Sequence, residues 1–255
     1  MKSASSNNPI KTLFYWMGGL VGINLIILIH EMGHFLFAKL FDIPTPYFSL
    51  GFGPAIIAYP IGQTTFILSL LPFGGYVEMD SQALAQLSYI PQMLIISAGI
   101  LFNLIFAYII LVYYTIRNQN SSTEPQPGNE RSSVKATFQN MRSAISNIIK
   151  NNRTDGQNGI IGPIGIVALI GKSLAFNPQQ YWFILAILSL NVGLFNILPL
   201  PFFDGGQALI FTIEAITGKT IPATLLWIIS TTVLAFFILF ITKISINDIK
   251  QLLKK

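Results

Sequence analysis

Residues 13–40 read LFYWMGGLVGINLIILIHEMGHFLFAKL, a long apolar run with His30, Glu31 and His34 inside it. A helix that crosses a bilayer needs about 20 apolar residues, so this stretch is read as a transmembrane helix. Ionisable side chains in such a span cost roughly 2.5–3.5 kcal/mol each on the insertion scale, and they mark function. Residues i and i+4 share a helical face, so both imidazoles of His30-Glu31-Met32-Gly33-His34 can reach one ion. Glu31, next to the first of them, is then placed as general base for water activated by that ion. Zinc is the expected metal.

The rest of the composition agrees with a membrane protein. Of 255 residues, 52% are hydrophobic and only 10% charged, with a mean hydropathy of +0.61. An ordinary soluble domain carries about 25% charged residues, which argues against a water-soluble globule. Cysteine is absent, which excludes disulfides, iron–sulfur clusters and thiolate zinc sites. His30 and His34 are the only histidines, so a transition-metal site must combine them with carboxylates. The net charge of +5 comes from basic residues beside apolar blocks, where membrane topology explains them without a nucleic-acid partner.

Further spans are expected at about 94–116 and 223–241. A shorter fourth at about 181–198 ends at Pro199 and Pro201. Tyr15, Trp16, Tyr113, Tyr114, Tyr181, Trp182 and Trp227 stand near the ends of these runs, as an interfacial belt requires. The N-terminal run looks like a signal peptide, but it lacks a small-residue cleavage site and contains Glu31, so it is read as retained. The fold class is an α-helical polytopic membrane protein with about four transmembrane helices, one membrane-embedded domain over residues 1–255.

Residues 43–80 are apolar but rich in Gly and Pro. Extended stretches at 47–59 and 64–71 flank the turn Pro60-Ile61-Gly62-Gln63, which predicts a β-hairpin over 47–72. Non-helical backbone at membrane depth is tolerated only beside protein or a water-filled cavity, so the hairpin is expected to dip toward a site. Residues 117–133 form a polar linker. An interfacial amphipathic helix is predicted over 134–150, where Val134, Phe138, Met141 and Ile145 recur at helical spacing. Residues 159–176 read as a re-entrant or interfacial segment.

Catalytic zinc usually has three protein ligands plus water, so one more donor is required. The best candidate is Asp204, within Asn196-Ile197-Leu198-Pro199-Leu200-Pro201-Phe202-Phe203-Asp204-Gly205-Gly206. Its prolines break a helix where the apolar run ends, and the glycine pair permits a tight bend. The plain alternative for Asp204 is a loop aspartate or a helix cap. Glu214 is the runner-up ligand, and Asp42, Glu78 and Asp80 read as solvated loop charges. Depth agrees with Asp204: His30 lies about 25 Å beyond Leu13 at 1.5 Å per residue. If the second helix returns, the third delivers Asp204 to the same side, provided 159–176 is no full span.

These motifs resemble the site-2 protease family of intramembrane zinc metalloproteases, in particular the bacterial regulator-of-sigma-E type. The likeness rests on the HEMGH helix, Ser49-Leu50-Gly51-Phe52-Gly53-Pro54, Leu71-Pro72-Phe73-Gly74-Gly75-Tyr76-Val77, Gly162-Pro163-Ile164-Gly165 and NILPLPFFDGG. The resemblance implies one zinc ion on His30, His34 and Asp204, with Glu31 as catalytic base. It implies substrate contacts at Asn196, Gly74, Gly75, Pro199 and Pro201, and a hairpin edge strand offered to the substrate. The family's Gly-Pro in its second core helix stands here as Gly99-Ile100, with Asn103 where an asparagine is expected. Residues 117–159 are too few for the PDZ domains of this protease type, so such filtering is absent or supplied by a separate regulatory subunit.

The function expected is zinc-dependent intramembrane proteolysis. The expected substrate is the transmembrane helix of a pre-cleaved single-pass protein, such as an anti-sigma factor or a signal-peptide remnant. Rival classes are a membrane zinc transporter or metal sensor, which needs no base at Glu31, and an inactive scaffold. The resemblance places the chain in a bacterial plasma membrane with its site nearer the cytosol. Charge points the other way: of 15 Lys and Arg, only Lys39 and Lys219 fall on the side of the site.

Overall fold

The computed structural model describes residues 9–119, 163–176 and 178–253. Along the chain these form α1 (Pro9–Leu40), β1 (Tyr47–Ile61), β2 (Thr64–Glu78), α2 (Ser81–Gln86) and α3 (Tyr89–Gln119). Then come α4 (Pro163–Phe176), α5 (Pro178–Asn196), α6 (Asp204–Thr217) and α7 (Ala223–Leu253). Proline opens α1, α4 and α5. At the first helical position its missing N–H costs nothing and its φ is preset. The amphipathic helix expected over 134–150 lies outside the described residues, as does all of the polar linker beyond the last turn of α3.

Among the described residues, three helices are long and apolar enough to cross a membrane, at Ile10–Leu40, Tyr89–Tyr114 and Ala223–Ile246. Helices of this length and composition mark an integral membrane protein. The fourth expected span does not reach that standard. Gln179, Gln180, Asn191 and Asn196 dilute α5, and much of it packs inside the protein, with Tyr181, Phe183, Ile184, Leu185, Ala186, Ser189 and Gly193 buried. A helix sheltered by its neighbours has less need of a uniformly apolar surface. In contrast, α7 presents Trp227, Phe236 and Leu239 outward, as a lipid-facing helix does. Helix limits also run past the apolar runs. The second span starts at Tyr89, with Pro91 in its first turn, and α7 continues to Leu253 beyond Lys243.

One core cluster joins Ile26 of α1, Ile170 of α4 and Tyr181, Ile184 and Leu185 of α5. A second, around Ala38, Ile43, Leu84 and Ile95, ties the far end of α1 to α2 and α3. The Tyr181 hydroxyl donates to the Gly18 carbonyl at 3.1 Å, and Leu185 lies beside Gly22. At the other end of α5, Gly193 lies beside Asn103. Hence α5 runs parallel to α1 and ends level with His30, as the depth argument requires. Antiparallel to α1, α4 sets Val167 against Gly19 and Gly171 against Tyr15. Its 14 residues span about 21 Å, too short to cross the hydrocarbon core.

The hairpin prediction needs correction in extent and topology. The turn lies at Gly62-Gln63, inside the expected 60–63, and residues 55–61 pair with 64–69. However, β2 continues to Glu78, and both strands bend at glycines with positive φ, Gly51 at 91° and Gly74 at 88°. As a result residues 47–50 pair antiparallel with 75–78 on one side, from Tyr47↔Glu78 to Leu50↔Gly75. On the other side they lie beside 65–68, with residue numbers rising together. Residues 64–69 are therefore interior, and the outer edges are 55–61 and 75–78. Phe35 anchors this sheet to α1, its ring 5.5 Å from Phe48 and 5.6 Å from Phe66. The Asn24 side chain donates to the Pro72 carbonyl at 2.9 Å.

A side chain at 171 would run into the backbone of Tyr15. Gly171→Leu is therefore expected to destabilise the protein by about 1–3 kcal/mol, the usual cost of overpacking, read as a lowered melting temperature in detergent. An unchanged melting temperature would contradict the close α1–α4 contact.

Candidate metal centre

His30 and His34 are both buried and lie one turn apart on α1. Opposite them stands Asp204, the first residue of α6. The chain reaches it through the loop at 197–203, and the two glycines that follow seat α6 on that loop. Gly205 lies against the Ile197 carbonyl and Gly206 against that of Leu200. Asp204 does not cap the helix: the N-cap is Phe203, with no side-chain capping bond. The carboxylate points instead at the imidazoles. Its Oδ2 is 3.3 Å from His30 Nε2 and 3.4 Å from His34 Nε2, and the two Nε2 atoms are 3.2 Å apart.

Those distances test whether the trio suits a metal. Zinc binds His and carboxylate at about 2.0–2.2 Å in tetrahedral sites, which sets the corners of the tetrahedron roughly 3.3–3.5 Å apart. The three donor atoms match three such corners. His34 Nδ1 is 2.9 Å from the Ile95 carbonyl. A carbonyl only accepts, so Nδ1 carries the proton and Nε2 keeps its lone pair. Asp204 Oδ2 is buried without a hydrogen-bond donor. Electron pairs turned toward one buried point are stable only around a cation. Gly99 of α3 completes the fit, since a Cβ there would strike both imidazoles. Among the described residues, His30, His34 and Asp204 are the one group of three such ligands close enough to hold an ion.

Glu214 is not part of it. Its carboxylate accepts the Ile221 N–H at 2.7 Å, closing the loop before α7. Asp80 caps α2 by accepting from Gln82 and Ala83 N–H groups. Asp42 and Glu78 are exposed, as read.

A cavity of about 470 Å³ opens beside the trio. Glu31, Gly74, Gly75 and Asn196 line it. Pro199 and Pro201 are not in its wall and instead shape the loop that delivers Asp204. Tyr76, Val77, Phe202, Phe203 and Gln207 also line it and were not anticipated. For Gln207 a signal existed, one helical turn beyond Asp204. Gly75 packs against the Glu31 side chain, and Val77 follows it along the same cavity wall. The outer edge at 75–78 thus meets the site, whereas the edge at 55–61 lies outside the cavity wall. Asn196 donates to the Val192 carbonyl at 3.0 Å, which fixes its amide at the rim.

The model of peptidase family M50 matches residues 18–240. A Clostridium perfringens protein named "putative zinc metalloprotease" is 23% identical over 329 aligned residues, covering 92% of this chain and 98% of that protein. A protein of the same description from Synechocystis sp. is 26% identical over 311, covering 78% and 84%. Another, from Rickettsia conorii, is 24% identical over 353, covering 92% and 98%. With 223 consecutive positions on the family model and the histidine helix, Glu31 and Asp204 all inside them, this chain belongs to peptidase family M50.

Proposed function

We propose that the chain is a zinc-dependent endopeptidase that cuts transmembrane segments of single-pass membrane proteins within the bilayer. One observation carries this reading: Glu31 stands beside a three-donor metal centre and lies against an open sheet edge. A zinc transporter or sensor would use the ligands but has no use for a base held in that place.

Zinc held by His30, His34 and Asp204 would lower the pKa of water to roughly 7 and polarise a carbonyl. Glu31 takes the proton from the attacking water as its oxygen bonds to the carbonyl carbon. The carbon–nitrogen bond then breaks, and Glu31 returns the proton to the leaving amine. Asn196, its amide held by the Val192 carbonyl, would hold the substrate carbonyl. A helical substrate hides its carbonyls in internal hydrogen bonds, so it must unwind. Pairing with the edge at 75–78 would replace part of what is lost. The family resemblance supports a substrate already trimmed by another protease, such as an anti-sigma factor or a signal-peptide remnant, in a bacterial plasma membrane. It also supports a site nearer the cytosol, and filtering by PDZ domains is absent or supplied by a separate regulatory subunit.

Glu31→Gln is expected to lower turnover of a reporter transmembrane peptide by about 10²–10⁴-fold, with bound zinc unchanged in the same preparation. Loss of zinc together with activity would move Glu31 into the coordination shell. Asp204→Ala should weaken zinc binding at least about a hundredfold, because two ligands remain of the three that catalytic zinc requires. Glu214→Ala should leave binding within about threefold. Equal losses in the two variants would overturn the assignment of Asp204.

Strand pairing makes a distinct prediction about the substrate. Along a strand, alternate residues present their N–H and C=O groups to the same neighbour. Single prolines walked through the substrate should therefore suppress cleavage at every second position. Each lost bond is worth about 1 kcal/mol, a several-fold drop in rate. A uniform profile, or one with helical periodicity, would contradict binding at the edge.

A further inference from the structure

From the face that α3 turns toward α1, we infer that Asn103 is a positioning residue that sets which nitrogen of His30 is free for the metal. Ile95, Gly99 and Asn103 are spaced four apart and form one stripe on that helix. The Ile95 carbonyl fixes the proton of His34 on Nδ1, and Gly99 leaves room for both rings. Asn103 is wholly buried, with an amide nitrogen 3.3 Å from His30 Nδ1 and Oδ1 without a partner. An N–H donated to Nδ1 would force the His30 proton onto Nε2, the atom facing Asp204 and His34, and block it as a ligand. Amide oxygen and nitrogen are interchangeable in shape. With the amide turned over, Oδ1 accepts an Nδ1–H, and Nε2 offers its lone pair. Each histidine then has its own acceptor on α3, a backbone carbonyl for His34 and a side chain for His30. The Ser189 hydroxyl, donating to the Asn103 carbonyl at 3.0 Å, ties this turn of α3 to α5.

The inference rests on the metal-centre reading but is independent of what the enzyme cuts, so its test measures metal affinity. Zinc dissociation constants of the full chain in detergent would be obtained by competition with a chelator. Asn103→Leu keeps the branched shape, with bulkier methyl ends, but removes the acceptor, and it should weaken binding 10–100-fold, the usual effect of losing an outer-shell partner. Asn103→Asp keeps an oxygen acceptor and should stay within about threefold of the native chain. Should the leucine variant not fold, the aspartate variant decides, since a site that needs an N–H donor would lose zinc on that change. Nitrogen-15 spectra of the labelled zinc-loaded chain should show His30 protonated at Nδ1. Unchanged affinity in Asn103→Leu, loss in Asn103→Asp, or a proton on Nε2 would overturn the inference. A native chain that binds no zinc would instead remove the metal-centre reading itself.

Discussion

The architecture is organised by one electrostatic constraint: two imidazole nitrogens and a carboxylate oxygen meet within 3.4 Å of one another in a buried place. Unpaired acceptors in such surroundings repel and lack solvation, so the arrangement makes sense around a cation. Each surrounding element serves that convergence. From α1 come both histidines on one face, and α3 lies close enough at Gly99 to hold their rings. The helix α5 stops level with His30, and the loop at 197–203 turns the chain so that α6 begins with Asp204. None of these elements could shift by a helical turn without separating the donors.

The sheet serves the same point from the opposite wall. Its bends at Gly51 and Gly74 fold two long strands into a strip whose outer segment, 75–78, lies against Glu31. The base and the edge that would receive substrate are therefore in contact, through Gly75. Asn24 and Phe35, both on α1, fasten the sheet to the helix that carries the base. Attack geometry and substrate alignment thus share one rigid support, which a peptidase requires and a passive metal carrier does not.

Much of this could be read from residues alone because the signals were local. The spacing of His30 and His34 dictates a shared face, an apolar run of bilayer length dictates a span, and the scarcity of other donors narrows the metal site. Asp204 was within reach because Pro199 and Pro201 end a helix just before it, although only the fold shows that Glu214 serves the Ile221 N–H. What was not legible depends on long-range register. Nothing near Gly75 reveals that β2 doubles back beside β1, because that follows from bends at two distant glycines. The Ile95 carbonyl is equally silent, since a backbone acceptor has no side-chain signature. The shortfall of α5 as a span has the same origin, its polar residues being tolerated by packing that only the fold reveals.

The central claim is that His30, His34 and Asp204 hold one zinc ion with a corner left for reaction. X-ray absorption at the zinc edge of the purified chain tests it most directly. The account predicts one zinc per chain in four-coordinate nitrogen and oxygen surroundings at about 2.0–2.2 Å. It also predicts scattering from two imidazole rings, reduced to one in His34→Ala. Zinc in an all-oxygen six-coordinate shell, or a signal unchanged when either histidine is removed, would contradict it.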